Sequence, residues 1–365
     1  MNRTVDDARP PHRSAPALVA GRILVMLLCA AVLALLATES AAKEKQKIAK
    51  QVKAKKGKDK DKDPPPPPPP PPPPIDPLQI VNNSRYPTRV AAGPGAKIYV
   101  TDARVGSVFI YETETSGGLL SLRLTGELKG LDKPLGVAVD SAGNIYVGND
   151  GFDNVEKYDS KGNKVLTIAG PKMPNDLAFD RTGNLYVADS KQKTVEVFTA
   201  VGAHVRTIGL PTATYGGVGF ATAVQVGYRP DPVNVGSEIA ELFVASQSNY
   251  QVHVFDLQGN FKRALGSQIS GSYWGSTVYW KGQFQLIQDL AFDPQHRLHV
   301  LDCALNNVQI IDPVTGTFIN SYGPESYDAA GAFLKVPLGF TLTSLGQAVI
   351  ANTHRRRLEP IDTVP

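Results

Sequence analysis

A short motif that recurs six times constrains the fold more than any other feature of this 365-residue chain. Each copy consists of a largely apolar pair, one further residue, and then Asp, Asn or Ser. The copies end at Asp102, Asn149, Asp189, Ser246, Asp302 and Asn352. They are spaced by roughly 40 to 57 residues, which leaves room for several short strands in each repeat.

The sequence around each motif predicts four strands. A first strand, such as residues 136–140 (GVAVD), is followed by a turn that contains Gly or Asn and then by the motif strand. A third strand alternates apolar and polar residues, as at 195–198 (VEVF), and a fourth closes the unit, as at 164–170 (KVLTIAG). Four antiparallel strands repeated radially are typical of a β-propeller. The predicted fold class is therefore all-β, with six blades.

The two clearest copies, at 134–149 and 174–189, share the pattern P-x-x-[VL]-A-[VF]-D-x-x-G-N-[IL]-Y-V-x-[DN]. This pattern resembles the NHL repeat, and the resemblance implies a six-bladed propeller over residues 75–365. The sixth copy ends without a fourth strand. We expect residues 77–83 (PLQIVNN), which precede the first copy, to pair as the outer strand of the last blade, because an open edge would otherwise remain.

The chain begins with a segment that has the layout of a signal peptide. Four Arg precede residue 23, and residues 23–37 are an unbroken apolar run followed by small residues. We therefore expect residues 1–42 to be a signal peptide or membrane anchor, with the protein exported to the periplasm, the cell envelope or the extracellular space. The Lys-rich flank that follows leaves cleavage and anchoring both open.

Residues 43–74 form a predicted disordered linker of two parts. Ten Lys lie between Lys43 and Lys62, and eleven consecutive prolines, Pro64 to Pro74, follow. The lysines suit an anionic membrane surface, and the prolines predict a stiff polyproline II spacer of about 34 Å at about 3.1 Å per residue. No nucleic-acid partner is expected, because the lysines have no interleaved aromatic residues and residues 64–365 are slightly acidic.

Three polar residues are candidates for a ligand site at the mouth of the central channel. Asp180 and Asp189 recur in other copies and are explained as turn residues, whereas Asn175 and Asp176 are not explained by the repeat. Asp289 stands at the position of the fifth copy that matches Asp176. Gluconolactonase-like propellers are similar in fold, and this resemblance implies a divalent metal bound by Glu, Asn and Asp in the channel. Asn175 occupies a matching place, but Asp176 stands where a Gly is expected and the other ligands are not evident.

No catalytic residue, metal ligand or cofactor is assigned from these patterns. The His spacings of zinc sites and the nucleophile motif G-x-S-x-G are absent from the sequence. A metal-dependent, gluconolactonase-like hydrolase or lyase that acts at the channel mouth remains the alternative function.

Two loops are candidates for a recognition surface on the face where the inner strands begin. The insertion at 267–286 contains five aromatic residues, a type that is common in binding surfaces, and the candidates for binding are Tyr273, Trp274, Tyr279 and Trp280. Arg355, Arg356 and Arg357 in the last repeat suit a carboxylate or phosphate group. The predicted function is a noncatalytic exported scaffold that binds protein or another ligand on this face.

Overall fold

The computed structural model describes residues 86–116, 119–209, 220–247, 249–268, 281–323 and 334–361. Over these ranges the chain is almost entirely β-structure, with one short 3₁₀ turn at Thr353–Arg355. No helix in these ranges is long and apolar enough to span a membrane. The predicted signal segment, the linker and the expected closing strand at 77–83 all lie outside the described residues.

The first three blades are four-stranded antiparallel sheets whose strands follow one another in chain order. Blade 1 comprises β1 (Pro87–Gly93), β2 (Lys97–Asp102), β3 (Ser107–Ser116) and β4 (Leu119–Lys129). Blade 2 comprises β5 (Pro134–Val139), β6 (Ile145–Asn149), β7 (Asn154–Tyr158) and β8 (Lys164–Ala169). Blade 3 comprises β9 (Pro174–Phe179), β10 (Leu185–Asp189), β11 (Thr194–Phe198) and β12 (His204–Gly209).

The remaining three blades follow the same order, and the last has three described strands. Blade 4 comprises β13 (Ala221–Pro230), β14 (Glu238–Ser246), β15 (Gln251–Asp256) and β16 (Phe261–Leu265). A small parallel pair, β17 (Ser267–Gln268) and β18 (Gln283–Phe284), precedes blade 5. Blade 5 comprises β19 (Ile287–Phe292), β20 (Leu298–Asp302), β21 (Asn307–Ile311) and β22 (Phe318–Tyr322). Blade 6 comprises β23 (Pro337–Leu342), β24 (Ala348–Asn352) and β25 (Arg357–Ile361).

The hydrophobic core is divided among the six junctions between adjacent blades. One cluster joins blades 3 and 4 through residues such as Tyr186 and Leu242. Another joins the last blade to the first through Val90, Val349 and Leu358. Each first strand also contacts the first strands of both neighbouring blades. The first strands therefore form the inner ring, and the predicted six-bladed propeller is confirmed.

Aspartates shape the turns between the first and second strands as the repeat predicts. Asp140 Oδ1 accepts hydrogen bonds from the backbone N–H groups of Ala142 and Asn144, and Asp180 Oδ1 accepts from those of Thr182 and Asn184. Because the carboxylate replaces solvent for these N–H groups, each turn is held in one conformation.

The last residue of each motif strand was predicted to cap a turn, and the structure separates these six residues into two groups. Carboxylate oxygens of Asp102, Asp189 and Asp302 accept from backbone N–H groups, and Asn352 Oδ1 accepts from the N–H of Lys335. The buried polar side-chain atoms of Asn149 and Ser246 have no hydrogen-bond partner among the residues that the structure describes. Capping therefore occurs in blades 1, 3, 5 and 6 and not in blades 2 and 4.

Hydroxyl groups join several neighbouring blades through buried backbone carbonyls. Thr353 Oγ1 donates to the carbonyl of Pro87 over 2.6 Å, which links the last blade to the first. Ser190 Oγ donates to Ala221 over 2.6 Å and so links blade 3 to blade 4. Such bonds satisfy carbonyl groups that burial between blades removes from water.

Candidate functional site

The third residue of each first strand lies at the mouth of the central channel, and charged and small residues alternate at this position. Blades 1 to 6 contribute Arg89, Gly136, Asp176, Ala223, Asp289 and Gly339 in turn. The face at which the first strands begin is called the top face below. Three charged side chains thus come from alternate blades to the top of the channel.

The second residue of each first strand is skipped in the pairing with the second strand. In blade 5, for example, the register shifts between Ile287 and Asp289, so that Gln288 has no ladder partner. The same one-residue shift occurs in blades 3, 4 and 6, and in blades 1 and 2 the third residue of the first strand is unpaired as well. A carbonyl released in this way needs another donor if it is buried, because an unpaired buried carbonyl is costly.

Arg89 supplies that donor for four of the blades. Its guanidinium donates to the carbonyl oxygens of Asn175 (Nε, 3.1 Å), Thr222 (Nη2, 2.6 Å) and Leu338 (Nη1, 2.5 Å), and Nη1 also donates to that of Gln288. Arg89 is only 2% exposed. One side chain from blade 1 therefore spans the channel and holds blades 3, 4, 5 and 6 together.

The small residues at the alternate positions are required by close packing of the inner ring. A Cβ added at Gly339 would lie 2.6 Å from the carbonyl oxygen of Thr88 and 2.7 Å from the Cα of Arg89. A Cβ added at Gly136 would lie 2.8 Å from the Cα of Asp176. Neither glycine has a positive φ, so the close approach of the next strand is the reason for each.

Asp176 and Asp289 each connect their own blade to the next. Oδ2 of Asp176 accepts from the N–H of Val224 over 2.9 Å, and Oδ2 of Asp289 accepts from the N–H of Phe340 over 2.9 Å. Asp289 Oδ2 also lies 3.8 Å from Arg89 Nη1. The two carboxyl groups therefore link blade 3 to blade 4 and blade 5 to blade 6 within the inner ring of first strands.

The pKa of both carboxyl groups is raised. Burial is the main cause for each, and the neighbouring Asp176 carboxylate raises the pKa of Asp289 further. The positive charge of Arg89 and backbone N–H donors lower both pKa values without cancelling the effect of burial. Two carboxyl groups beside a single guanidinium therefore hold a proton at a higher pH than ordinary aspartates do.

The structure brings Asn175, Asp176 and Asp289 together around Arg89. Asn175 Nδ2 donates to Ser190 Oγ over 3.0 Å, and its backbone carbonyl accepts from Arg89. Four carbonyl oxygens and two carboxyl groups would suit a bound cation chemically, and the chain provides its own cation in the guanidinium. Sequence reasoning missed Arg89. Alignment of the third positions would have shown a single basic residue among acidic and small ones.

The three consecutive arginines of the last repeat differ in their contacts. Arg357 pairs with Glu359. Arg356 Nη2 instead donates to the phenol oxygen of Tyr86 over 2.8 Å, and the two chain positions are 270 residues apart. Two of the three arginines thus form a strand ion pair and a contact with the first described residue, and Arg355 is the last residue of the 3₁₀ turn at Thr353–Arg355.

Tyr273, Trp274, Tyr279 and Trp280 lie outside the described residues, but both ends of their insertion are described. β17 and β18 pair with each other, and Gln309 Nε2 donates to the carbonyl of Gln283 over 2.7 Å. Lys281 Nζ lies 5.2 Å from the ring centroid of Phe318. These contacts anchor the ends against the third and outer strands of blade 5.

Histidines and acidic residues are dispersed within the described ranges, where no three or more His, Cys, Asp or Glu converge as metal ligands. His299 is buried between Tyr322 (Nδ1 to the phenol oxygen, 3.1 Å) and Asp293 (Nε2 to Oδ2, 3.1 Å). Burial lowers the pKa of His299, and the Asp293 carboxylate opposes this effect. The three side chains form a buried hydrogen-bonded chain inside blade 5.

The fold and this channel define a six-bladed β-propeller whose central channel is closed by its own arginine. Among solved structures, the chain is similar to Kuenenia stuttgartiensis hydrazine synthase, with 16% identity, a TM-score of 0.52, and coverage of 77% of this chain and 97% of that one. It is also similar to virginiamycin B lyase from Staphylococcus aureus, with 10% identity, a TM-score of 0.50, and coverage of 75% and 80%. At these identities the likeness shows the fold alone. No protein-family model and no curated protein sequence matches the chain.

Proposed function

We propose that this protein is a noncatalytic, exported binding scaffold whose top face holds a protein or another ligand. The observation that supports this proposal is the position of Arg89. Its guanidinium uses the carbonyl oxygens of four blades and lies beside the Asp289 carboxylate. A channel-mouth hydrolase or lyase would need these same oxygens for a metal or a substrate.

The top face has loops that suit recognition. Lys133, Lys172, Lys191 and Lys335 are all exposed in connections that emerge there. The insertion that carries Trp274 and Trp280 enters between blades 4 and 5. The predicted Lys-rich segment and proline spacer would keep the propeller away from the membrane surface, in keeping with export and with anchoring or attachment at the cell envelope.

Site-specific photo-crosslinking of the full chain tests the choice of face. One crosslinking residue replaces Lys191, in the hairpin between β10 and β11 on the top face, and in a matched variant it replaces Lys161, in the turn between β7 and β8 on the opposite face. Both lysines are exposed. We expect a defined adduct from position 191 that is lost in Trp274→Ala/Trp280→Ala. The proposal would be contradicted by an equal yield of adduct from position 161. It would also be contradicted if the adduct from position 191 formed equally well in Trp274→Ala/Trp280→Ala.

The enzyme alternative has its own test. Elemental mass spectrometry of the purified full chain, with Asn175→Ala and Asp289→Ala beside it, would detect a resident ion. The scaffold proposal expects no stoichiometric divalent ion in any of the three proteins. One ion per chain that is lost in either variant would support the hydrolase or lyase instead, and lactones and esters would be the first substrates to screen.

A further inference from the structure

Two loop positions of each blade lie on the top face beside the start of its first strand. The connection position lies two residues before the first strand, and the hairpin position is the last residue before the third strand. Blade 3 has Lys172 and Lys193 at these positions, and blade 6 has Lys335 and Arg356. Because each first strand contacts those of the two adjacent blades, blades 3 and 6 lie opposite each other in the ring. Two basic pairs therefore stand on opposite sides of the channel mouth.

Equivalent hydrogen bonds fix the backbone at the two connection positions. The N–H of Lys172 donates to Oδ2 of Asp189 over 2.6 Å, and the N–H of Lys335 donates to Oδ1 of Asn352 over 2.8 Å. Asp189 and Asn352 are the last residues of the motif strands in their blades. Both lysines are exposed, so each ammonium group is presented to solvent from a backbone that is held in place.

The charge at these two positions differs from blade to blade. Blade 2 has Asp132 and Asp153, and blade 5 has the neutral residues Gln285 and Asn306. The two positions therefore carry two negative charges in blade 2 and two positive charges in each of blades 3 and 6. The top face consists of separate acidic and basic parts and is not uniformly basic.

Most of the charge in the two basic pairs has no carboxylate partner. Lys172 Nζ lies 3.4 Å from Asp153 Oδ2. Within the described ranges, Lys193, Lys335 and Arg356 form no ion pair with a carboxylate. Both pairs can therefore attract a carboxylate from another molecule.

The loops of the two faces differ in net charge. The hairpins between second and third strands, together with the three residues before each first strand, contain eight Lys or Arg and three Asp in the described ranges. The described turns of the opposite face contain three Lys or Arg and six Asp. The basic excess of the top face remains when Glu325 and Asp328, which lie outside the described residues, are counted against it. Such a charge distribution draws an acidic partner to the top face.

We propose that the top face binds a protein whose acidic side chains meet the basic pairs of blades 3 and 6 on opposite sides of the channel mouth. Opposite charges across an interface favour encounter and fix the orientation of the partner, and like charges exclude wrong partners. A uniformly anionic surface such as a membrane would also meet Asp132 and Asp153 of blade 2, whereas a protein can place acidic residues at separate points. This partner class rests on the proposed scaffold function, of which it specifies one part.

The distribution of exposed apolar residues also favours a protein over a membrane. Faces that dock on membranes combine basic residues with apolar ones. The most exposed large apolar residues of the described ranges are Val201 (78%), Val233 (82%), Val235 (100%) and Leu345 (71%). All four lie in turns of the opposite face, so the basic pairs and the apolar residues are on different sides of the propeller.

Photo-crosslinking of a short polyglutamate peptide to the full chain tests the partner class. The peptide carries a photoreactive residue at its centre, and mass spectrometry after proteolysis assigns each adduct to a segment of the chain. At low salt, where screening is weak, we expect adducts on the top-face loops of blades 3 and 6. Their yield should fall about fivefold in Lys193→Gln/Lys335→Gln, which removes one charge from each basic pair. Adducts on the Lys-rich stem are counted separately, because the stem is the same in all variants.

Lys161→Glu is the matched control. It changes the net charge by the same amount as Lys193→Gln/Lys335→Gln, and it lies in the turn between β7 and β8 on the opposite face. A polyglutamine peptide controls for the charge of the probe. Asp153→Asn removes the carboxylate beside Lys172, and we expect it to increase the adducts on blade 3. Thermal melting of each variant shows that it is folded.

The proposal would be overturned by adducts that are equally frequent on both faces, by adducts confined to the stem, by equal adducts with polyglutamine, or by an equal loss in Lys161→Glu. Cosedimentation with phosphatidylglycerol vesicles tests the membrane. If Lys193→Gln/Lys335→Gln loses vesicle binding and keeps its peptide adducts, the partner is a membrane and the proposal fails. The scaffold function is judged separately by crosslinking at position 191. A tryptophan-dependent adduct there, without polyglutamate adducts on the top face, would support the scaffold and overturn only the acidic partner.

Discussion

The carboxylate Oδ2 of Asp289 lies 3.8 Å from Nη1 of Arg89, with 6% and 3% of the respective side chains exposed. This buried pair lies at the centre of the inner ring of first strands. Arg89 comes from blade 1 and also donates to backbone carbonyl oxygens of blades 3, 4, 5 and 6. These carbonyl oxygens and the Asp289 carboxyl group provide the hydrogen-bond acceptors that the guanidinium needs. A buried charge is tolerated only when it is paired and hydrogen-bonded in this way. The residues at the mouth of the channel therefore link the blades to one another.

Replacing Arg89 by Met should strongly destabilise the propeller. The change leaves four buried carbonyl groups without their donor and removes the positive charge beside Asp289, and removal of one partner from a buried pair costs about 3–5 kcal/mol. Urea unfolding followed by circular dichroism measures the change. Arg123→Met is the matched control, because Arg123 lies on the surface with a side chain 56% exposed, where solvent screening leaves ion pairs with little effect on stability. Equal effects of the two substitutions would contradict the central role of Arg89.

The raised pKa of Asp289 predicts a dependence of stability on pH. The pKa is about 8 in the folded protein and close to its ordinary value of 3.8 when the chain is unfolded. Between these values the folded state binds more protons, so this group makes stability fall as pH rises. Asp289→Asn removes the titration, and its melting temperature should therefore decrease less than that of the wild type between about pH 5 and pH 8. Parallel melting curves for the two proteins across this range would refute the assignment.

Gly339→Ala should destabilise the ring although it adds only one methyl group. The added Cβ meets the backbone of the first blade, 2.6 Å from the carbonyl oxygen of Thr88, and overpacking of this kind costs about 1–3 kcal/mol. Gly209→Ala is the control, because a Cβ there has no neighbour within 4 Å among the described residues. Differential scanning calorimetry should show a clear loss for Gly339→Ala only. A similar melting temperature for both variants would show that the ring tolerates expansion.

Deleting residues 75–83 should lower the melting temperature of the whole propeller. Blade 6 has three described strands, and the apolar segment at 77–83 is the predicted fourth. An unpaired outer strand leaves backbone groups and apolar side chains of β25 without a neighbour. Deletion of residues 43–51, which has the same length and lies in the Lys-rich stem, is the control. Unchanged melting of the 75–83 deletion would refute this closure.

Much of the fold was predictable because propeller blades are local structures. The motif strands ending at Asp102 and Asp189, and the turn aspartates Asp140 and Asp180, act on neighbours a few residues away along the chain. Their spacing therefore appears directly in the sequence. The same pattern predicted capping roles for Asn149 and Ser246, and in the described part of the chain their buried side-chain atoms make no hydrogen bond.

The candidate site was predictable only in part. Asn175 and Asp176 were identified as departures from the repeat, with Asp289 at the matching position of the fifth copy, and all three lie around Arg89. Arg89 was missed because its importance depends on contacts with residues 133 and 249 positions away in the chain. The contact between Tyr86 and Arg356 was missed for the same reason, since 270 positions separate them.

The sequence by itself determined six blades, their order and most of their turns, because these features follow from hydrophobic periodicity and short-range hydrogen bonds. Only the tertiary structure decided what fills the channel and which distant residues lie together. Closing the ring brings the skipped carbonyl groups of blades 3 to 6 within reach of one side chain. That convergence is set by the geometry of the whole ring, and no local pattern in the chain encodes it.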